Sequence, residues 1–321
     1  MNTKPRIAFI NNADTDCGVY GYGKLTFLNL QKSEKYDYDF LEASDIQQFV
    51  KLYNAKKYDG SIWNCGPFGW MIDALLNVSS EDKPAFVITG HGRIFTFPNV
   101  KHHFICDPTI SCDLNLYTPL ERPLVDVQDL SCKPHGEVIK IGSFGFGGWK
   151  KNFTGIVEAV NSQFTEPVEI NLHITYGNWY EYHESTGIAH AIADKCREIA
   201  NPNVVLNITH EFMKNYEDVV RFLNSNDINM FLYDMTDDMG ISSCVDFALM
   251  AKKPLIVNRS NMFKSINWKN ELLFECNTIK EVLERGLTPT DEYREKWCNS
   301  NIIKTFEDKL DNYIVRNYAQ S

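Results

Sequence analysis

The sequence predicts an α/β protein built from two doubly wound parallel sheets in series. Three observations carry this prediction. Short apolar runs alternate with helical patterns along most of the chain; the runs open into loops rich in glycine, asparagine and aspartate; and the pattern breaks once, between Pro119 and Gly136, then resumes. The length of 321 residues fits two domains, since a single core rarely organises more than about 250 to 300 residues.

In the first half, Arg6 to Asn11 is an apolar run ending in Asn-Asn-Ala-Asp-Thr-Asp-Cys-Gly, the pattern of a buried parallel strand opening into a loop. A helix is expected from about Lys24. Further strands are expected at Tyr38 to Leu41, Gly60 to Asn64, Ala85 to Thr89 and His103 to Cys106, with helices at Asp45 to Asn54 and Trp70 to Asn77. Pro119, Pro123 and Pro134 punctuate the stretch read as the interdomain linker.

The second half repeats the logic, with strands expected at Val138 to Phe144, Glu169 to Thr175, Val204 to Ile208, Met230 to Tyr233 and Pro254 to Val257. Helices fit Asn152 to Asn161, Gly187 to Ile199, Asn215 to Asn224 and Ser242 to Ala251; Val219, Phe222 and Leu223 form an apolar stripe at helical spacing. The tail from Asp291 to Tyr318 carries Trp297, Ile302, Ile303, Phe306, Leu310, Tyr313 and Ile314 in the same rhythm and reads as helical. The expected organisation is therefore an N-terminal domain over 1–130, a C-terminal domain over 137–290 and a helical tail over 291–321.

Composition narrows the function classes. Hydrophobic content of 44% and charged content of 23% are those of an ordinary globular protein. A net charge of −10 opposes binding to a phosphate backbone, so no nucleic acid partner is expected. Nine cysteines stand singly with no CxxC pair, which suits a reducing, cytoplasmic setting and neither a disulfide framework nor a zinc ribbon. No run reaches the roughly 20 apolar residues of a membrane span, so membrane contact is expected to be peripheral at most. Aromatic residues make up 13%, and Trp63, Phe68, Trp70, Trp149, Trp179, Tyr180 and Tyr182 lie near loops where a ring can stack on a ligand or pack in the core.

Ligands of doubly wound sheets bind outside the C-terminal ends of the strands, here expected in a cleft between the domains, so the loops after strands are the candidate sites. Asp16-Cys-Gly-Val-Tyr-Gly-Tyr-Gly23 follows the first strand; its glycines suit either a tight turn or close approach of a ligand, but their spacing is not GxGxxG. His91 sits between two glycines after Val87-Ile-Thr89, placed to offer a ring nitrogen to a ligand.

The turn Gly142-Ser-Phe-Gly-Phe-Gly-Gly-Trp-Lys-Lys-Asn152 puts Lys150 and Lys151 at an expected helix start, where positive charge opposes the macrodipole unless an anion compensates. The acidic turn Asp234-Met-Thr-Asp-Asp-Met-Gly-Ile-Ser-Ser-Cys-Val-Asp246 offers backbone N–H groups of Gly240, Ile241 and Ser242 at another helix start. Its Asp237 or Asp238, with Asp246, can accept from vicinal hydroxyls, although Asp246 also suits simple capping. There is no Walker A loop, HExxH helix, GxSxG elbow or metal-spaced His/Cys set.

These four loops, in this order, resemble the retaining GT-B glycosyltransferases of the family 4-like group, over nearly the whole chain and most strongly over 138–260. The resemblance implies two Rossmann-like domains facing a central cleft and transfer of a hexose-type sugar from a UDP- or GDP-sugar to an acceptor hydroxyl. It implies no cofactor and no metal, with glycan or polysaccharide synthesis as the setting. Cys17, Gly18 and Val19 then match the glycine loop facing the donor, His91 the histidine that reaches the sugar, and Lys151 the lysine that grips the phosphates. Ser143 stands where the family usually has arginine, with Trp149 or Lys150 as substitutes. The family's E-x7-E element maps onto Asp238 and Asp246 by spacing, onto Asp237 when Gly240-Ile241 is aligned, and onto Phe247 when Pro254 is aligned. Other readings are a sugar-nucleotide epimerase of the same architecture, a catalytically inactive sugar-nucleotide binding module, and a DNA-modifying glucosyltransferase.

Overall fold

A parallel strand covered on both faces must be apolar throughout, and Ile7, Ala8, Phe9 and Ile10 are all fully buried. They form the centre of β1 (Arg6–Asn12), followed by α1 (Gly18–Leu30), β2 (Asp37–Ala43), α2 (Ile46–Asn54), β3 (Gly60–Cys65), α3 (Gly69–Val78), β4 (Ala85–Thr89), β5 (Val100–Ile105) and β6 (Tyr117–Pro119). The computed structural model describes residues 4–15, 17–65, 69–78, 84–89, 100–111, 116–131, 136–176, 182–235, 240–266 and 268–314. The first sheet is parallel throughout, in the order β2-β1-β3-β4-β5-β6.

The second half contains β7 (Ile139–Phe146), α4 (Phe153–Gln163), β8 (Val168–Thr175), α5 (Tyr182–Ile199), β9 (Val204–Thr209), α6 (Tyr216–Asn224), β10 (Ile228–Phe231), α7 (Cys244–Ala251) and β11 (Leu255–Val257). Then come α8 (Ile279–Arg285), α9 (Thr288–Lys296) and α10 (Asn299–Asp311). Its sheet is also parallel, in the order β11-β10-β7-β8-β9. The chain divides into one unit of Met1–Val125 with Lys296–Ser321 and a second of Asp126–Glu295.

In the first unit, alternation along β1 separates two apolar layers. Ile7 and Phe9 join Phe27, Phe86 and Phe104 on one face, while Ala8 and Ile10 join Phe49, Trp63 and Leu75 on the other. The first of these layers is completed from the far end of the sequence, by Ile302, Phe306, Leu310 and Ile314. In the second unit, β7, β8 and β10 pack Ile141, Ile170, Leu172 and Met230 against Ile156, Val160, Ala189 and Ile192.

Several expectations are corrected. The first helix begins at Gly18, well before Lys24, because Gly18, Gly21 and Gly23 are helical and none has positive φ. Gly23 serves packing: a methyl group there would overlap Asn64 Nδ2 and lie 2.7 Å from Asn11 Oδ1, so its absence lets α1 settle on β1 and β3. Helix α5 begins at Tyr182 rather than Gly187, and β10 ends at Phe231, before Tyr233. Pro119 closes a short edge strand, where its missing N–H is tolerated, and the division of the chain after Val125 falls inside the stretch expected to link the domains. The tail is helical as expected and consists of two helices: Cys298 is extended (φ −67, ψ 158) and serves as the N-cap of α10, so the chain turns after the buried Trp297. Tyr318 lies outside the described residues. No helix among the described residues is long and apolar enough to cross a membrane.

Candidate functional site

In doubly wound sheets the ligand position is where the strand order reverses. In the second unit that point lies between β7 and β10, paired through Ile141–Ile228 and Gly142–Asn229. The segments leaving these two strands are therefore neighbours: the lysine turn after β7 and Tyr233-Asp234 after β10. Their backbones are joined where Asp234 N–H donates to the Lys150 carbonyl at 2.9 Å.

Contrary to the expected helix start, Lys150 and Lys151 precede α4 rather than open it. They form a 3₁₀ turn, Trp149–Lys151, and Asn152 then takes a left-handed conformation (φ 50) to cap α4, accepting from Gly155 N at 3.0 Å. The turn is anchored by Gly147 N–H, which donates to the Thr175 carbonyl at 2.6 Å, and by Lys151 N–H, which donates to Gly148 at 2.9 Å. This leaves Trp149 and Lys150 exposed, while Lys151 folds inward with its Nζ 3.9 Å from the centre of the Tyr233 ring.

Tyr233 was not singled out from the sequence, where one tyrosine after an apolar run reads as core. It is buried, and its hydroxyl lies 3.3 Å from Ser242 Oγ, which also lies 3.1 Å from Cys244 Sγ. Burial pushes the Tyr233 phenol well above its ordinary range. Burial also raises the Cys244 thiol, and the Lys151 charge pulls it the other way. Lys151, Tyr233, Ser242 and Cys244 thus form one cluster joining the lysine turn to the start of α7.

The Ser242 amide, proposed from sequence as an anion donor, is already used: it donates to the Met262 carbonyl at 2.9 Å. Gly240 is buried, Ile241 half-buried, and Asp246 buried in the first turn of α7. Ser143 is buried within β7, and a neutral hydroxyl there carries none of the charge an arginine would. Asp237 and Asp238 lie outside the described residues, as does His91.

The first unit's sheet reverses between β1 and β3. There Asn64 Nδ2 donates to Asn11 Oδ1 at 2.8 Å and to the Val19 carbonyl at 2.7 Å, while Asn11 Nδ2 donates to the Tyr20 carbonyl at 3.2 Å. These bonds hold the first turn of α1, where Cys17 is the N-cap without a side-chain capping bond, Gly18 is exposed and Val19 half-buried. Asn12, buried at the end of β1, accepts from Asp14 N at 2.8 Å and leaves its Nδ2 without a partner among the described residues. Such a buried donor at a strand end is a further candidate contact that the sequence reading missed. Trp63, read as a possible stacking ring, is fully buried and donates to Ser61 Oγ at 2.9 Å.

No family model and no curated protein matches the chain in sequence. Solved structures do match its fold. Anabaena Alr3699/HepE in complex with UDP-glucose aligns with a TM-score of 0.63 at 9% identity, covering 96% of this chain and 99% of that one. An alpha-glucosyltransferase in complex with UDP and a 13-mer DNA containing an HMU base aligns at 0.58 with 12% identity, covering 98% and 100%. A glycosyltransferase from Rickettsia africae ESF-5 gives the same values, 0.58, 12%, 98% and 100%. The chain has the GT-B fold, with two Rossmann-like doubly wound parallel-sheet units.

Proposed function

We propose that this protein is a retaining, metal-independent glycosyltransferase that moves a sugar from a nucleotide diphosphate sugar to an acceptor hydroxyl in glycan or polysaccharide synthesis. The observation that carries the reading is the seating of Lys151 on Tyr233 at the strand-order reversal, tied through Ser242 to the α7 turn. Negative charge develops on the diphosphate as the glycosidic bond breaks, and a preorganised ammonium stabilises that charge more than it stabilises the bound donor. With the Ser242 amide engaged, the amides of Gly240 and Ile241 are the remaining donors of that turn in this mechanism. The roles of Cys17, Gly18, Val19, His91, Asp237, Asp238 and Asp246 in donor binding rest on the family resemblance. A UDP donor is favoured over GDP, because structural neighbours were crystallised with UDP or UDP-glucose.

One neighbour holds modified DNA, which keeps a DNA-glucosylating reading in view; the net charge of −10 weighs against it. The test is a thermal-shift panel of nucleotide sugars, followed by transfer assays. At a hundred times its dissociation constant the true donor adds about 2.7 kcal/mol, which raises the melting temperature by roughly 5 to 10 °C. A panel that leaves the melting temperature unmoved would sink the donor reading. Transfer is expected to survive EDTA; its loss would turn attention to Asp234, Asp237 and Asp238 as metal ligands. Product anomers read by NMR decide between retention and inversion.

A further inference from the structure

We propose that Tyr233 is a positioning residue: its ring, held beside the α7 turn, fixes the Lys151 ammonium for the diphosphate. This rests on the donor reading above. A lysine on a four-carbon stem has no preferred direction of its own, and ordering it costs up to about 2 kcal/mol of side-chain freedom. A rigid aromatic face within about 6 Å recovers part of that cost before any ligand arrives.

The Tyr233 ring is itself closely packed. Phe263 packs against it with centroids 4.7 Å apart, and Phe231 meets it edge-on at 6.5 Å. Its backbone carbonyl accepts from Asn258 Nδ2 at 2.7 Å, and its hydroxyl is in reach of Ser242 Oγ at 3.3 Å. Lys151 Nζ stands 3.9 Å from its centroid, well inside the attractive range. One residue therefore touches the cation on one side and the α7 turn on the other. A tyrosine buried for stability alone needs neither contact.

The test uses UDP as the probe and isotope-labelled methyl groups on the lysines of the full chain. A ring held against Lys151 shifts its methyl resonance upfield; the shift is expected in the native protein and in Tyr233→Phe, and is lost in Tyr233→Leu. Tyr233→Phe is expected to bind UDP within about threefold of native, and successive fluorination of that phenylalanine, which drains the ring face without changing its shape, to weaken UDP in steps totalling roughly two- to thirtyfold. In a Lys151→Ala background the fluorinated series should be flat. A native Lys151 resonance without the shift, or equal UDP losses with and without Lys151, would overturn the proposal. If Tyr233→Leu fails to fold, the fluorinated series decides. If native protein ignores UDP, the donor reading falls, and the methyl shift alone decides whether the ring holds the ammonium.

Discussion

Lys151→Ala is expected to weaken UDP binding by roughly 10- to 150-fold, the equivalent of the ~1.5–3 kcal/mol typical of hydrogen bonds to charged groups. Transfer should fall at least as far, because the charge on the leaving diphosphate is greatest in the transition state. The fold should survive: Lys151 is half-buried, and its backbone bond to Gly148 does not depend on the side chain. Calorimetric titration of UDP, with melting of the unliganded variant as the control, separates these effects. A variant that binds UDP as the native protein does would remove Lys151 from the mechanism. Lys150→Ala makes the useful contrast, since the exposed Lys150 contributes its carbonyl, not its ammonium, to the contact with Asp234. Its expected effect on binding is several times smaller.

Phe306→Ala is expected to cost about 3–5 kcal/mol, the range for removing a fully buried aromatic side chain and leaving a cavity. Phe306 is fully buried, its ring centroid 4.3 Å from that of Phe104, in the layer that also holds Ile7, Phe9 and Leu310. Neighbouring side chains come from the sheet and from α1, and their packing limits collapse into the space. The melting temperature of the first unit should drop by roughly 6 to 20 °C. Two units need not melt together, so the change is best followed by hydrogen exchange at β1 and β5. A loss below about 1 kcal/mol would mean that α10 contributes little to that core.

The buried strands were legible because parallel strands buried on both faces have no polar face: Ile7 to Ile10, Ala85 to Ile88 and Leu255 to Val257 each read as an unbroken apolar run. The start of α1 was hidden by glycines that imitate a loop signal, although Gly23 is there to let Asn64 approach. The break between α9 and α10 was hidden for the opposite reason, since helical spacing on either side of Trp297 and Cys298 continues in sequence while the backbone does not. Within the candidate site, Lys151 stood out in the sequence because of an expected helix start, which the structure replaces with a 3₁₀ turn. Tyr233 did not, because its significance comes from the pairing of β7 with β10, a neighbourhood that strand order creates and local sequence does not record. Likewise the engagement of the Ser242 amide by Met262 depends on a contact twenty residues away in the chain.

The return of α10 to the first unit has a consequence for synthesis. A ribosome releases the β1 to β6 segment first, yet that sheet lacks Ile302, Phe306, Leu310 and Ile314 until the segment after Glu295 is translated. The Asp126–Glu295 segment is continuous and can mature earlier. The nascent N-terminal half is therefore expected to wait with one apolar face only partly covered, by α1, reversing the usual vectorial order and making it the part most in need of a chaperone.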